Sequence, residues 1–174
     1  VYAESRGGEL RKVAFEAVTA ARALADSLGG EVHAMVCGPS GISAKAASLG
    51  RHGADVIIAI EHPGFATYAR EAVAATVAAR AHSGGYRAVV LGFTAQGRDL
   101  GPRVAAKLDA PIAADVRSLQ GSADKLTAKH PGSANKVIVT LATSGVPPAS
   151  SGQPAPGPAR RTANARRTPR AQHQ

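Results

Sequence analysis

The feature that most constrains this chain is a set of four short apolar runs, Val32 to Cys37, Val56 to Ile60, Ala88 to Leu91 and Val137 to Leu141, in which hydrophobic residues follow one another without alternation. A strand with one wet face alternates with period two. An unbroken run needs cover on both faces, as inside a parallel sheet sandwiched between helices. Between the early runs lie helical patterns. Val13, Ala17, Ala21, Leu24 and Leu28 recur every three or four residues, Arg11, Lys12, Glu16, Arg22 and Asp26 fall mostly off that line, and Gly29-Gly30 supplies the stop. Ile42 to Leu49 predicts a short second helix ending near Gly50. Phe65, Ala69, Val73, Thr76 and Val77 mark a third, closed by Ser83-Gly84-Gly85, and Leu100, Val104, Ala105 and Leu108 a fourth. Val1-Tyr2-Ala3 reads as the end of a further strand and Pro111 to Val116 as a weaker one.

Strands alternating with helices at intervals of roughly 24–32 residues are βαβ units with right-handed crossovers. The fold class expected is therefore α/β, a three-layer domain with a mostly parallel sheet and flanking helices. After Val116 the rhythm changes. Arg117 to Lys136 contains Gly121, Pro131 and Gly132 and no helical pattern, which predicts a β-meander near the C-terminal end.

The 174 residues suffice for one such domain. Aromatics are only 3% and Trp is absent, so the core must be aliphatic and Ala-rich. A single cysteine, Cys37, excludes an internal disulfide and a Cys-rich zinc site and fits a reducing compartment. No apolar run approaches the ~20 residues of a membrane span, and no signal-type segment opens the sequence. A cytoplasmic location without membrane insertion is the expectation.

The net charge is +9, and its distribution divides the chain. Residues 1–146 hold 16 basic and 12 acidic residues, whereas 147–174 hold 5 arginines and no carboxylate. The second stretch also has six of the eleven prolines and no Val, Ile, Leu, Met, Phe, Tyr or Trp. It cannot bury enough apolar surface to offset its ordering entropy, so the expectation is a folded domain over 1–146 and a disordered Pro/Ala/Arg-rich tail over 147–174. A GC-rich gene read in a shifted frame gives the same composition, and the nucleotide sequence decides between the two. The pairs Arg160-Arg161 and Arg166-Arg167 suit phosphate contacts. Without aromatics to stack on bases they do not make a nucleic-acid module, and no nucleic-acid partner is expected.

The most informative segment for function is Gly92-Phe93-Thr94-Ala95-Gln96-Gly97-Arg98-Asp99-Leu100-Gly101-Pro102-Arg103-Val104-Ala105, which follows a buried run and opens a helix. Doubly wound folds place ligand loops there. Its glycines have the spacing of a phosphate-binding loop, but Arg98 stands where that loop needs Lys, and Asp99, where a hydroxyl would hold magnesium, would repel phosphate. Asp99 suits instead the positive end of the following helix, as a cap or first-turn anion, with Pro102 in that first turn. Gly97, Arg98, Asp99, Pro102 and Arg103 are thus the candidate structural or partner-facing site. No G-x-G-x-x-G follows any strand, and the six histidines show no metal-ligand spacing. Cys37 ends an apolar run and reads as a buried small residue. Neither Ser5 nor Ser144 has a nucleophile setting, and no acid–base pair stands out among Glu4, Asp55 and Glu61. No catalytic residue is assigned.

At this segment the chain resembles the electron-transfer flavoprotein alpha subunit, in its N-terminal domain. Val-Tyr-Ala-Glu from Val1 to Glu4 is similar to that family's first strand, and Leu49 to Asp55 to the segment leading into its third. The Gly92 to Ala105 run resembles the family's most recognisable signature, followed as expected by Leu108 and Asp115, and Lys136 to Gly145 the stretch before its second domain. The resemblance implies a heterodimer with a beta subunit that takes electrons from dehydrogenases, such as those of acyl-CoA in fatty-acid oxidation, and passes them on through FAD. It implies an electron carrier more than a catalyst. FAD is held mainly by a C-terminal domain with no counterpart in this sequence. A truncated chain is therefore expected to bind no flavin alone, and no FAD contact passes to any numbered residue. An aromatic residue usual in the family is also missing around Pro131-Gly132-Ser133. The alternative is a stand-alone nucleotide-binding module of the universal-stress type, which shares the general plan.

Overall fold

A computed structural model describes residues 1–116 and the strand residues 118–122, 125–129 and 137–140. Expectations for the tail over 147–174 and for Leu141 fall outside the described residues. The elements run β1 (Ser5–Arg6), β2 (Glu9–Leu10), α1 (Lys12–Leu28), β3 (His33–Gly38), α2 (Ile42–Ala46), β4 (Val56–Glu61), α3 (Arg70–Ser83), β5 (Val89–Gly92), α4 (Ala95–Leu108), β6 (Ile112–Val116), β7 (Ser118–Ser122), β8 (Lys125–Lys129) and β9 (Val137–Thr140).

Residues 1–3 join the central layer together. The Ala3 N–H donates to the Met35 carbonyl at 2.7 Å and the Met35 N–H to the Val1 carbonyl at 2.8 Å. On the other side the Tyr2 N–H donates to the Val90 carbonyl at 2.9 Å. With β3 paired parallel to β4, and β9 between β5 and β6, the strands lie in the order β4, β3, residues 1–3, β5, β9, β6. The early strands give the parallel part that the apolar runs predict, whereas β9 runs antiparallel to both neighbours. Of the meander expected over Arg117 to Lys136, the described residues hold the antiparallel hairpin β7–β8, and residues 130–136 lie outside them.

Alternate residues of the inner strands feed two cores, which is why their runs are unbroken. Ala3, Ala34, Val36 and Val90 pack with Ala14, Ala17, Val18, Ala21, Ile42 and Leu49 under α1 and α2. Tyr2, Met35, Cys37, Val89 and Leu91 pack with Val73, Val77, Leu100 and Val104 under α3 and α4. Each such aliphatic side chain contributes about 1.5–3 kcal/mol by leaving water, and the alanines let the helices approach closely while favouring the helical state.

Two helix starts differ from the periodic pattern. Phe65 belongs to a 3₁₀ turn, Pro63–Phe65, and α3 begins only at Arg70, because the His62 ring accepts the Gly64 N–H and the chain turns there first. Phe65 still packs against the second core, so its apolar signal was real and its helical phase was not. The fourth helix starts at Ala95, well before Leu100. The second is split, α2 passing into a 3₁₀ turn over Ala47–His52.

An electrostatic clamp ties α1 to β3 and β4. Asp55 Oδ2 accepts from the Val32 N–H and from Arg22 Nη1, both at 2.7 Å, while Arg22 Nη2 reaches the Gly30 carbonyl at 3.0 Å. The Val32 N–H first, and then Arg22, hold the Asp55 carboxyl below its ordinary value despite partial desolvation. A carboxyl depressed in the folded state adds stability above its unfolded value of 3.8, and that contribution is lost as pH falls through the lower folded value. Urea midpoints measured against pH should therefore fall in acid for the natural chain, and Asp55→Asn should flatten that fall while lowering the midpoint at neutral pH.

Candidate functional site

The strand formed by residues 1–3 ends at Glu4, which is 2% exposed and the one buried charged residue among those described. Its carboxylate is fully employed. Oε1 accepts from Arg11 Nη1 at 3.0 Å, and Oε2 accepts from the Thr94 hydroxyl at 2.5 Å. Its carbonyl takes the Arg11 N–H at 3.0 Å, just ahead of α1. Thr94 in turn caps α4, its Oγ1 accepting the Gly97 N–H at 3.0 Å. One carboxylate thus fastens the strand end to the starts of helices on opposite faces. Sequence reasoning weighed Glu4 only as an acid–base candidate beside Asp55 and Glu61. The readable signal was a Thr three residues before Gly97, an N-cap spacing.

The two glycines of the 92–97 segment serve packing. A Cβ on Gly92 would lie 2.3 Å from Val13 Cγ2, and one on Gly97 would lie 1.8 Å from the Gly92 carbonyl oxygen. Their spacing matches a phosphate loop by coincidence of another requirement, the close seating of α1 and α4 on β5. With Thr94 as cap, Asp99 sits in the second turn and Pro102 inside the helix, which corrects the placement of both in the first turn. The helix starts earlier because Thr94, whose hydroxyl is anchored on Glu4, accepts the Gly97 amide on its Oγ1 and the Arg98 amide on its carbonyl.

Of the five candidate residues, the structure brings Asp99 and Arg103 together and sets the others apart. Asp99 Oδ1 accepts from Arg103 Nε at 3.1 Å, and Oδ2 from the Tyr68 hydroxyl at 3.0 Å, with Arg70 Nε 3.9 Å away. Arg103 also pairs with Glu71 of α3, and Lys107 lies 3.9 Å from the same carboxylate. Desolvation would raise Asp99, but the bonds from Arg103 and Tyr68 outweigh it and hold the carboxyl low. Burial, and then Asp99, push the Tyr68 hydroxyl upward. This is an α3–α4 clamp, and its partners Tyr68, Arg70 and Glu71 lie too far along the sequence for any motif to name them. Gly97 is buried at the helix start, Pro102 is exposed, and Arg98 points its guanidinium over Phe93, 5.5 Å from the ring centre.

The other sequence candidates fall into structural places. Cys37 is buried, and burial pushes its thiol up to about 11, away from nucleophilic use. The Ser5 hydroxyl donates to the Cys37 carbonyl at 2.8 Å. Glu61 accepts the amides of Gly41 and Ser43, both at 3.0 Å, at the start of α2. Among the described residues, no three His, Cys, Asp or Glu side chains gather so as to hold a metal ion.

Removing the buried carboxylate by Glu4→Ala strands Thr94 and Arg11, and unfolding curves should show a loss of about 2–4 kcal/mol. Gly97→Ala forces α4 off β5 and should cost at least about 3 kcal/mol, read as a lowered Tm.

The family model for the electron transfer flavoprotein domain matches residues 1–170. Protein FixB of Clostridium saccharobutylicum is 33% identical over 144 residues, 82% of this chain and 42% of that protein. The electron transfer flavoprotein subunit alpha of Megasphaera elsdenii is 37% identical over 127 residues, 73% of this chain and 37% of that protein. The acryloyl-CoA reductase electron transfer subunit beta of Anaerotignum propionicum is 34% identical over 119 residues, covering 68% of this chain and 32% of that protein. The chain spans less than half the length of each of these relatives. With the family model matched over most of its length, the chain belongs to the electron transfer flavoprotein domain family and is of its alpha-subunit type.

Proposed function

We propose that this chain serves as the N-terminal scaffold domain of an electron-transfer flavoprotein alpha subunit, within a heterodimer whose beta subunit completes the assembly. The complete heterodimer would carry electrons from dehydrogenases, those of acyl-CoA among them, through FAD, in the cytoplasm. The observation that carries this reading is the family match over residues 1–170, which also disfavours the stand-alone universal-stress alternative. No helix among the described residues is long and apolar enough to cross a membrane. Within this reading residues 1–146 are the folded unit and 147–174 an appended tail.

The described residues do not fit FAD. A dinucleotide lays its pyrophosphate on a glycine turn and an open helix N-terminus. Here the strand of residues 1–3 runs into the β1–β2 hairpin before α1 begins, and Thr94 and buried Glu4 already occupy the start of α4. A pyrophosphate brought there would meet a carboxylate. The flavin therefore belongs to another part of the assembly, where its isoalloxazine supplies the redox chemistry.

What this chain contributes is a rigid face. Asp99 and Arg103 are spent on the α3–α4 clamp, which makes them, with Gly97, the structural part of the site. Arg98 and Pro102 are exposed and are its partner-facing part. Two outcomes check this. The purified chain should show no stoichiometric flavin absorbance, and a yellow chromophore copurifying one to one would refute the reading. In the reconstituted heterodimer, Arg98→Glu should weaken beta-subunit association about tenfold without altering the circular dichroism of the chain. Unchanged association would remove Arg98 from the interface.

A further inference from the structure

The two outer strands of the central layer, β4 and β6, are built differently. β6 is interrupted: its register against β9 shifts between Ala113 and Val116, and Asp115 between them has φ of 53°, so the strand offers no continuous ladder to a neighbour. β4 pairs with β3 alone among the described residues, in an unbroken register. Its run Val56-Ile57-Ile58-Ala59-Ile60 holds no proline, no charge and no bulge, the devices by which natural sheets protect an edge. Val56 is 37% exposed, and Ile57 to Ile60 are only partly covered.

The bonds to β3 decide which groups of β4 face outward. The Val56 N–H donates to the Val32 carbonyl at 3.2 Å and the His62 N–H to the Gly38 carbonyl at 3.0 Å. Alternate residues of a strand in a parallel pair turn both backbone polar groups to the same neighbour, so the even-numbered residues serve β3. Ile57, Ala59 and Glu61 turn theirs away, and no described residue bonds to those backbone groups.

We propose that a second copy of this chain pairs with this edge, β4 against β4, antiparallel about a two-fold axis at Ala59. Charge and proline select the register. With Ala59 opposite its counterpart, Ile57 meets Glu61, and Ile57, Ala59 and Glu61 exchange bonds along the strand. An axis one residue earlier sets Asp55 opposite Glu61, two carboxylates; one residue later it sets Ile57 opposite Pro63, which has no N–H. On the α3 face the chosen register places Ile58 opposite Ile60, and β-branched cross-strand pairs are favourable. The chain's own residues 147–174 are a poor occupant, since they hold no Val, Ile or Leu to cover those side chains. The pairing is isologous and closed, so it consumes the edge on both copies and stops at two. It goes beyond the electron-transfer reading and rests on the fold alone.

The test uses the purified full chain. Sedimentation velocity should show reversible conversion of monomer to dimer between about 1 μM and 1 mM. Over that range, amide exchange followed by NMR should slow at Ile57, Ala59 and Glu61 by at least about fivefold, while Ile58 and Ile60, already bonded to β3, stay unchanged. Ala59→Pro removes an outward N–H and leaves the β3 ladder whole, so it should weaken the dimer at least about tenfold with an unchanged circular dichroism spectrum. Ile58→Lys and Ile60→Glu should each weaken self-association, and a mixture of the two variants should associate more tightly than either alone, because the register sets the substituted positions opposite each other. A chain monomeric over the whole range, slowed exchange only outside β4, protection that appears only when beta subunit is added, or an undiminished dimer in folded Ala59→Pro would each overturn the proposal.

Discussion

A carboxylate with 2% exposure sits where the first strand ends, and the relative placement of both helical layers follows from what that carboxylate needs. Taking an ionised group out of water costs several kcal/mol unless partners replace the solvent. Glu4 finds them on two sides, in Arg11 ahead of α1 and in Thr94 ahead of α4. Those helices lie on opposite faces of the sheet. The same desolvation penalty that makes Glu4 expensive therefore couples the two faces, because neither helix can drift without uncovering a lone pair.

The glycine spacing in the 92–97 segment shows how one sequence pattern can arise from two physical demands. A phosphate loop needs glycine so that backbone amides can converge on an anion. Here Gly92 is narrow because Val13 presses on it, and Gly97 because the Gly92 carbonyl does. The amide that a phosphate would have used, that of Gly97, is taken by Thr94. The neighbouring residues Arg98 and Asp99 already separated the two cases, since charge at those positions is tied to ligand chemistry, whereas spacing alone is not.

Much of the fold was legible because two-sided burial leaves an unmistakable mark. Met35 and Cys37 face one core while Ala34 and Val36 face the other, so beyond His33 at its start no polar residue interrupts β3. Helix starts were less legible. Phe65 and Ala69 continued the spacing of α3, yet the bend at Pro63-Gly64 ended the phase, and Thr94 moved the start of α4 ahead of its apolar stripe. The antiparallel course of β9 was not readable at all, since direction depends on the path of the connection and not on the strand's own composition. At the site, Asp99 with Arg103 was a local i, i+4 pair. Their partners Tyr68 and Glu71 come from the loop before α3 and from α3 itself, and a single sequence gives no distance between separate elements.

The division of labour within the 92–105 segment follows from counting partners. Each cation in the α3–α4 clamp faces a carboxylate: Arg70 and Arg103 share Asp99, and Arg103 and Lys107 share Glu71. Charges neutralised this way project little field and give rigidity more than recognition. Arg98, stacked on Phe93, keeps its full charge at a solvent-facing position. A guanidinium lying over a ring loses little rotamer freedom when a partner arrives, which lowers the entropic cost of association. Rigid helices joined by the clamp, beside a guanidinium ordered over Phe93 and facing solvent, are what this segment presents at the surface.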